Sequence, residues 1–211
     1  MNGIQQAFAW DNGGIWMYLI VVVSVFCLAL LIERVYYIFF KFSTNARQLM
    51  EAVARNVMQN SLDGAIQVCN AAGSSAVAQV VKAGLGRANK SELEIQNAIE
   101  EASLEVLPLV TRFLPALSSL ANIATLLGLL GTIIGLIDAF AALEGAAPDE
   151  RQAKLSAGIA IAMNTTAFGL IVAIPTLSFH VVLSAQAKKI MDDVELYSTK
   201  LANLLSAQRV R

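Results

Sequence analysis

The sequence predicts an all-α membrane protein with three transmembrane helices and long cytoplasmic helical extensions. Of its 211 residues, 56% are hydrophobic and only 15% are charged, whereas a soluble domain carries about 25% charged residues. Three long stretches contain no charged residue, and they cover residues 15–32, 113–137 and 155–187. About 20 residues are needed to cross the hydrocarbon core of a bilayer. The first stretch is just long enough, and the other two exceed the requirement.

The first transmembrane helix is predicted over residues 15–32, after a periplasmic N-terminus of residues 1–14. This N-terminus contains no Lys or Arg, although a cleaved signal peptide begins with a basic region. We therefore interpret the first apolar stretch as a retained helix.

The basic residues near the ends of the apolar stretches indicate the orientation, because Lys and Arg concentrate on the cytoplasmic side. They follow the first stretch, precede the second and follow the third: Arg34, Lys41, Arg47, Arg112, Lys188 and Lys189. This pattern predicts a periplasmic N-terminus and a cytoplasmic C-terminus.

The segment 33–112 is too polar for lipid and is predicted to be a cytoplasmic helical region. Ser61 is expected to cap one helix, and Ser91 with Glu94 forms the pattern of a capping box. Pro108 and Pro115 are expected to bend or interrupt the helix that leads into the second span, because proline removes a backbone hydrogen bond.

The remainder of the chain is predicted to form a hairpin of two spans and a tail. The second span covers 113–143, a short periplasmic loop covers 144–154, and the third span covers 155–187. Residues 188–211 are expected to form a cytoplasmic helical tail whose charges make a solvated face.

Both later spans carry stripes of small residues at helical spacing. These residues are Gly128 and Gly135 in the second span, and Gly158, Ala162 and Gly169 in the third. Small side chains allow the backbones of membrane helices to approach closely. Helix packing alone, or packing around a partner helix, explains them.

Four polar residues lie near the middle of the two spans of the hairpin. Thr132 and Thr166 lie about 17 residues before and after the loop centre, so a rise of about 1.5 Å per residue puts them at the same depth. Asn164 and Thr165 are their polar neighbours. Two interpretations remain open: the hydroxyls mark a place where something polar passes or docks, or they bond their own helix carbonyls.

No Asp or Glu lies at that depth, although an intramembrane carboxylate is the usual sign of a proton relay. Asp138 is the only acidic residue within the spans, either an outer vestibule acid or a residue at the water boundary. His180 near the inner end of the third span, with two separated cysteines, supports no metal site. We expect no cofactor and no enzymatic activity.

Two motifs together resemble a known family. "LLGLLGTIIGLIDAF" (126–140) and "GIAIAMNTTAFGLIVAIP" (158–175) are similar to the paired signature of the MotA/TolQ/ExbB proton-channel family. "SLDGAIQVCNAAGSSAVAQVVKAGL" (61–85) resembles its cytoplasmic segment. The short internal segment is closest to the ExbB/TolQ-like or gliding-motility-like branch.

The resemblance implies an ion-conducting subunit of a stator or energiser complex in the bacterial inner membrane, with protons or sodium ions as the transported species. Five copies would surround a dimer of an ExbD/TolR/MotB-like subunit, whose single transmembrane helix carries an aspartate. Thr132 and Thr166 match the polar threonines of the family's pore wall, with Thr165 and Asn164 as secondary candidates.

One position departs from the family pattern. Several ExbB and TolQ members have a glutamate where this chain has Ile161, so that position does not support TonB-type or Tol-type work. The alternative function is a non-conducting oligomeric membrane scaffold that recruits cytoplasmic proteins. A scaffold predicts that Thr132 and Thr166 tolerate valine.

Overall fold

The computed structural model describes residues 14–43, 45–144 and 147–209, and these residues form helices without any β-strand. Three helical stretches are long and apolar enough to cross a membrane, namely Ile15–Met58, Glu92–Ala141 and Arg151–Gln208. The predicted all-α fold class with three spanning helices is confirmed. The predicted periplasmic N-terminus and residues 145–146 of the predicted loop lie outside the described residues.

The described chain contains seven α-helices and one π-helical segment. In order, they are α1 (Gly14–Tyr36), the π-helical segment (Tyr37–Phe42), α2 (Ala46–Met58), α3 (Leu62–Ala71), α4 (Ala76–Leu85), α5 (Glu92–Thr111), α6 (Leu114–Ala141) and α7 (Arg151–Arg209). The π-helical segment was not anticipated from the sequence. Helix α7 begins at Arg151, within the predicted loop 144–154, and continues through the third predicted span and the predicted tail.

The chain divides into two compact units. The first consists of Met1–Ile32 and Phe113–Val181, and its described part contains most of α1, all of α6 and the first half of α7. Its interior combines small residues with a few large ones, such as Ile20 and Leu117, while other large apolar side chains such as Phe26, Leu126 and Ile171 are exposed. Such a surface suits a lipid or protein environment rather than water.

The second unit consists of Glu33–Arg112 and Val182–Arg211. Its helices α2 to α5 bury aliphatic side chains together with the end of α7, including Val53, Val57, Val80 and Leu201. Arg34 is also buried, at 2% exposure. Its guanidinium donates to the Leu109 carbonyl oxygen at 3.2 Å and to the Glu33 carboxylate at 2.9 Å, which compensates the cost of burying the charge.

Of the two helix caps predicted in the second unit, the structure shows one. The capping box at the start of α5 is confirmed, because Ser91 Oγ accepts the Glu94 N–H and Glu94 accepts the Ser91 N–H. The Ser91 hydroxyl also donates to the Glu94 carboxylate at 2.8 Å, and this bond, together with the one from the Ser91 N–H, holds the pKa of the exposed Glu94 carboxyl below its ordinary value. Ser61 does precede α3, but its side chain makes no capping hydrogen bond.

The helix that leads into the second span was expected to bend or break at Pro108 and Pro115, but it is interrupted between these two prolines. Pro108 lies inside α5 without ending it, and Pro115 lies in the first turn of α6. A proline there costs little, because the first N–H groups of a helix lack intrahelical partners. The interruption falls at Arg112 and Phe113, where Phe113 adopts a left-handed conformation with φ of 65°.

Candidate functional site

Three threonine hydroxyls meet where α6 and α7 cross in the first unit. The Oγ1 atoms of Thr132 and Thr166 are in direct hydrogen-bonding contact. Thr132 Oγ1 also lies 3.1 Å from the Gly128 carbonyl oxygen and 3.0 Å from that of Ala162. The predicted pair at one depth is therefore brought together as a single cluster spanning both helices.

Thr165 and Thr166 complete this hydroxyl cluster, which we define as Thr132, Thr165 and Thr166. Thr166 Oγ1 in α7 donates to the Gly128 carbonyl oxygen in α6 at 3.0 Å, so this hydrogen bond joins the two helices. Thr165 Oγ1 donates to the Ala162 carbonyl oxygen at 2.6 Å. Thr165 is buried, while Thr132 and Thr166 are half-buried.

Glycines in α6 make this contact possible. A methyl group at Gly128 would lie 3.1 Å from the Thr165 carbonyl oxygen and 3.2 Å from the Thr166 Cα. Any larger side chain would therefore separate the two helices and break the hydroxyl contacts. Gly128 belongs to the predicted small-residue stripe, and its role in helix contact is the one that the stripe suggests.

The remaining small residues extend the same contact in both directions along the hairpin. Gly135 faces Ala162, and a methyl group there would lie 3.0 Å from the Ala162 Cβ. Gly158 faces Ala139 so closely that a methyl group would overlap the alanine Cβ. At the other end, a methyl group at Gly169 would lie 2.7 Å from the Ala124 carbonyl oxygen.

One glycine of the contact lies outside the predicted stripe. A methyl group at Gly131 would lie 3.0 Å from the Thr165 hydroxyl oxygen and 3.2 Å from the Trp16 Cβ, so Gly131 is close to both α7 and α1. Its spacing of three residues from Gly128 was a usable signal. The contact between Gly131 and Trp16 has no such signal, because the sequence of one helix does not show which neighbouring helix it contacts.

The other predicted site residues do not join the described hydroxyl contacts. Asn164 is half-buried beside Thr165 in the sequence, and Ile161 is half-buried one residue before Ala162. Asp138 is exposed near the end of α6, six residues after Thr132. This exposure is compatible with a vestibule acid and with a residue at the water boundary.

The hydroxyl cluster carries no charge of its own and directs its protons inward. Each hydroxyl has one proton: in the Thr132–Thr166 pair one hydroxyl donates to the other and the second donates to a carbonyl oxygen, while Thr165 donates to the Ala162 carbonyl oxygen. The outward-facing groups of the half-buried Thr132 and Thr166 are therefore oxygen lone pairs. Lone pairs suit a hydronium ion, a sodium ion or a protonated carboxyl group better than an ionised carboxylate.

The two cysteines lie apart from the cluster and are free and buried. Cys27, in α1, lies within hydrogen-bonding reach of Thr176. Among the residues that the structure describes, no three His, Cys, Asp or Glu side chains form a group that could hold a metal ion.

Comparison with known proteins provides a match across most of the chain. The sequence profile of the MotA/TolQ/ExbB proton channel family matches residues 45–196, which include the hydroxyl cluster. An ExbB homologue for biopolymer transport from Methanothermobacter thermautotrophicus is 26% identical over 88% of this chain and 65% of its own length. An ExbB-like protein for biopolymer transport from Synechocystis is 31% identical over 74% of each chain.

A shorter part of the chain is similar to a protein of the Tol-Pal system. The Tol-Pal system protein TolQ of Haemophilus influenzae is 34% identical over 44% of this chain and 41% of its own length. This chain thus spans about two thirds to three quarters of the two longer matches, and less than half of TolQ.

Proposed function

The chain belongs to the MotA/TolQ/ExbB proton channel family and has three helical stretches that can span a membrane, and we propose that it conducts ions as a subunit of an energiser complex in a bacterial inner membrane. The ion is a proton or a sodium ion, and its passage drives mechanical work through a partner subunit. The hydroxyl cluster between α6 and α7 is the observation that carries this proposal.

The cluster supports conduction through its composition and its accessibility. Polar groups within a membrane span are costly unless they have partners, and the carbonyls of Gly128 and Ala162 provide those partners. Thr132 and Thr166 nevertheless remain half-buried rather than enclosed. They can therefore line a path while staying stable between ion passages.

The hydroxyl cluster lacks a carboxylate, and this supports a partner subunit that provides one. Among the residues that the structure describes, no carboxylate contacts the hydroxyl cluster, and a lone-pair surface alone has no group that takes up and releases protons. We propose that a dimer of an ExbD/TolR/MotB-like subunit provides an aspartate from its single transmembrane helix, within a pentamer of this chain. A protonated aspartate would donate to the Thr132 or Thr166 oxygen, and the ionised form would require water.

The experiment measures ion flux into liposomes that contain the chain with its candidate partner. Thr132→Val and Thr166→Val remove a hydroxyl with little change of shape, and we expect each to reduce partner-dependent flux about tenfold, the effect of about 1.4 kcal/mol on a barrier. Thr132→Ser keeps the hydroxyl and should retain flux.

Thr125→Val is the matched control. Thr125 lies in the same helix and bonds its own i−4 carbonyl, that of Ala121, at 3.3 Å, but it belongs to no cross-helix cluster. Its substitution should leave flux unchanged. Proton-sensitive and sodium-sensitive dyes in parallel vesicles identify the ion.

The second candidate function is the non-conducting scaffold, which the internal hydrogen bonding of the cluster favours. All three hydroxyls lie within hydrogen-bonding distance of carbonyl oxygens of the hairpin itself, an arrangement that helix packing alone explains. No flux from an intact complex, or flux that is the same in Thr132→Val, Thr166→Val and wild type, would support the scaffold and reject conduction.

A further inference from the structure

A cavity in the second unit has no part in the proposed ion path. It has a volume of about 320 Å³ and lies between the segment that joins α1 to α2 and the α7 residues from Gln186 to Tyr197. Its wall combines cationic, neutral polar and apolar groups. This mixture is typical of a site for an amphiphile, because one molecule must meet both charged and apolar surfaces.

The cationic groups are Arg47 and Lys189, which both line the cavity and are both exposed. Arg47 Nε is 3.0 Å from the Glu51 carboxylate, but both side chains are more than half exposed. Such a pair is weak, so an anion can compete for the arginine. Lys189 forms no described ion pair within 4.0 Å, and Asp193 contributes one carboxylate to the wall.

The apolar part of the wall comes from buried side chains. Phe42, Val77 and Ile190 are between 4% and 5% exposed and line the same cavity. The neutral side chains of Asn45 and Gln186 can donate hydrogen bonds at its rim. A phosphate group with an attached glycerol and acyl chain satisfies all three kinds of surface.

The cavity lies at the end of the apolar part of the chain. Gln186 precedes Ala187, the last residue of the uncharged stretch 155–187, and Lys189 follows it by two residues. On its other side, Phe42 ends the π-helical segment, where Phe39 and Phe40 are 44% and 75% exposed. The preceding Tyr36 is 61% exposed, and exposed tyrosine at the end of a span is typical of the headgroup region of a bilayer.

We propose that this cavity binds the phosphate-bearing headgroup of an anionic phospholipid in the cytoplasmic leaflet. The inference rests on the orientation that the basic residues predict, with residues 33–112 and 188–211 in the cytoplasm, but not on ion conduction. Cations next to a span attract anionic lipids, and each contributes about a fivefold change in binding. The cavity adds a defined position and an apolar wall to this attraction.

The test measures which lipids the purified protein retains. The detergent-solubilised chain is mixed with equal amounts of phosphatidylglycerol and phosphatidylcholine, and native mass spectrometry gives the ratio of bound species. We expect a clear preference for phosphatidylglycerol in wild type. Arg47→Gln and Lys189→Gln should each reduce that preference about fivefold.

Lys188→Gln is the matched control, because Lys188 is exposed and adjacent to Lys189 but does not line the cavity. It should leave the preference unchanged. Equal losses from Lys188→Gln and Lys189→Gln would show diffuse attraction and overturn the site. Equal retention of both lipids by wild type would overturn it as well.

A competition arm separates a lipid from a free phosphate compound. Millimolar glycerol 3-phosphate shares the headgroup chemistry but lacks the acyl chains. Retention of phosphatidylglycerol in its presence supports a lipid site, whereas complete displacement would assign the cavity to a soluble phosphate ligand. Because flux depends on Thr132 and Thr166 and lipid selectivity on Arg47 and Lys189, failure of either proposal is visible without the other.

Discussion

Cys69 lies in α3 of the second unit and is buried. Burial raises the pKa of its thiol from 9.0 to about 11, and the charge of Lys82 offsets this only in part. The thiolate, which is the reactive form of cysteine, is therefore rare at ordinary pH. Cys69 behaves as a small apolar side chain.

We predict slow alkylation of Cys69 in the folded protein. At pH 8, a pKa of about 11 leaves about 0.1% thiolate, compared with about 10% for a pKa of 9.0. Iodoacetamide labelling, followed by mass spectrometry of the Cys69 peptide, should therefore be at least about 100-fold slower than in denaturant. Equal rates with and without denaturant would contradict the burial.

The same thiol makes stability depend on pH. The raised pKa means that ionisation favours the unfolded chain, so this contribution to the free energy of unfolding is fully present below pH 9. It is lost as the pH rises from 9 towards 11. Cys69→Ala should reduce the pH dependence in this window, measured by denaturant unfolding at pH 8 and pH 10.

Reasoning from residues anticipated part of the hydroxyl cluster. Helical rise alone put Thr132 and Thr166 at one depth, and their hydroxyls meet. The carbonyls of Gly128 and Ala162 could not be identified as acceptors, because they depend on the rotation of each helix about its axis. The functional roles of Thr132, Thr165, Thr166, Asn164 and Asp138 stay predictions.

At the scale of the element, the contact between α6 and α7 depends on backbone approaching backbone. Gly169 lies against the carbonyl of Ala124, where an added methyl group would be 2.7 Å from the oxygen. Backbone atoms cannot move aside as a flexible side chain can. One methyl group must therefore displace a helix.

We predict that Gly169→Ala destabilises the hairpin by about 1–3 kcal/mol, the usual cost of overpacking a close contact. Thermal unfolding in detergent, with binding of the partner as a second readout, measures the effect. Gly86→Ala is the control, because its added methyl group would meet only ordinary contacts at 3.5 Å. An unchanged midpoint for Gly169→Ala would mean that the hairpin is looser than the structure shows.

Structural features that depend on a short sequence motif were predictable, and features that lack such a motif were not. The α5 capping box follows from Ser91 and Glu94 alone, because its hydrogen bonds close within one turn. The break at Arg112 and Phe113 has no comparable signal, since neither residue favours a left-handed backbone. The π-helical turn at Tyr37–Phe42 contains neither proline nor glycine to announce it.

At the scale of the whole molecule, the positions of the basic residues predict the orientation in the membrane. Asp149 and Lys90 are both exposed, one after α6 and the other before α5. We predict that an impermeant maleimide reaches Asp149→Cys from the periplasm and reaches Lys90→Cys only after the cytoplasmic side is opened. The wild-type protein is the control, because Cys27 and Cys69 are buried.

Labelling of Lys90→Cys in intact cells with a sealed inner membrane would reverse the orientation. It would also place Arg47 and Lys189 at the opposite leaflet and overturn the assignment of the lipid site to the cytoplasmic leaflet.

The sequence predicts the family and the spans at this scale because both depend on local composition and short motifs. The partner and the number of copies depend instead on how exposed faces fit another chain. Large apolar side chains are exposed on every span, for example Phe26, Ile133 and Ile171. Lipid and protein neighbours favour the same residue types, so composition does not separate a lipid-facing surface from a subunit contact.

The π-helical turn at Tyr37–Phe42 also bears on how chain length can vary in this region. A π-helix bonds each residue to one five positions away rather than four, so the turn holds one residue more than an α-helical turn would. Loss of a single residue here restores an ordinary turn and leaves the helices on either side intact. Relatives of this protein should therefore show gaps and insertions of one residue at this turn more often than within α6.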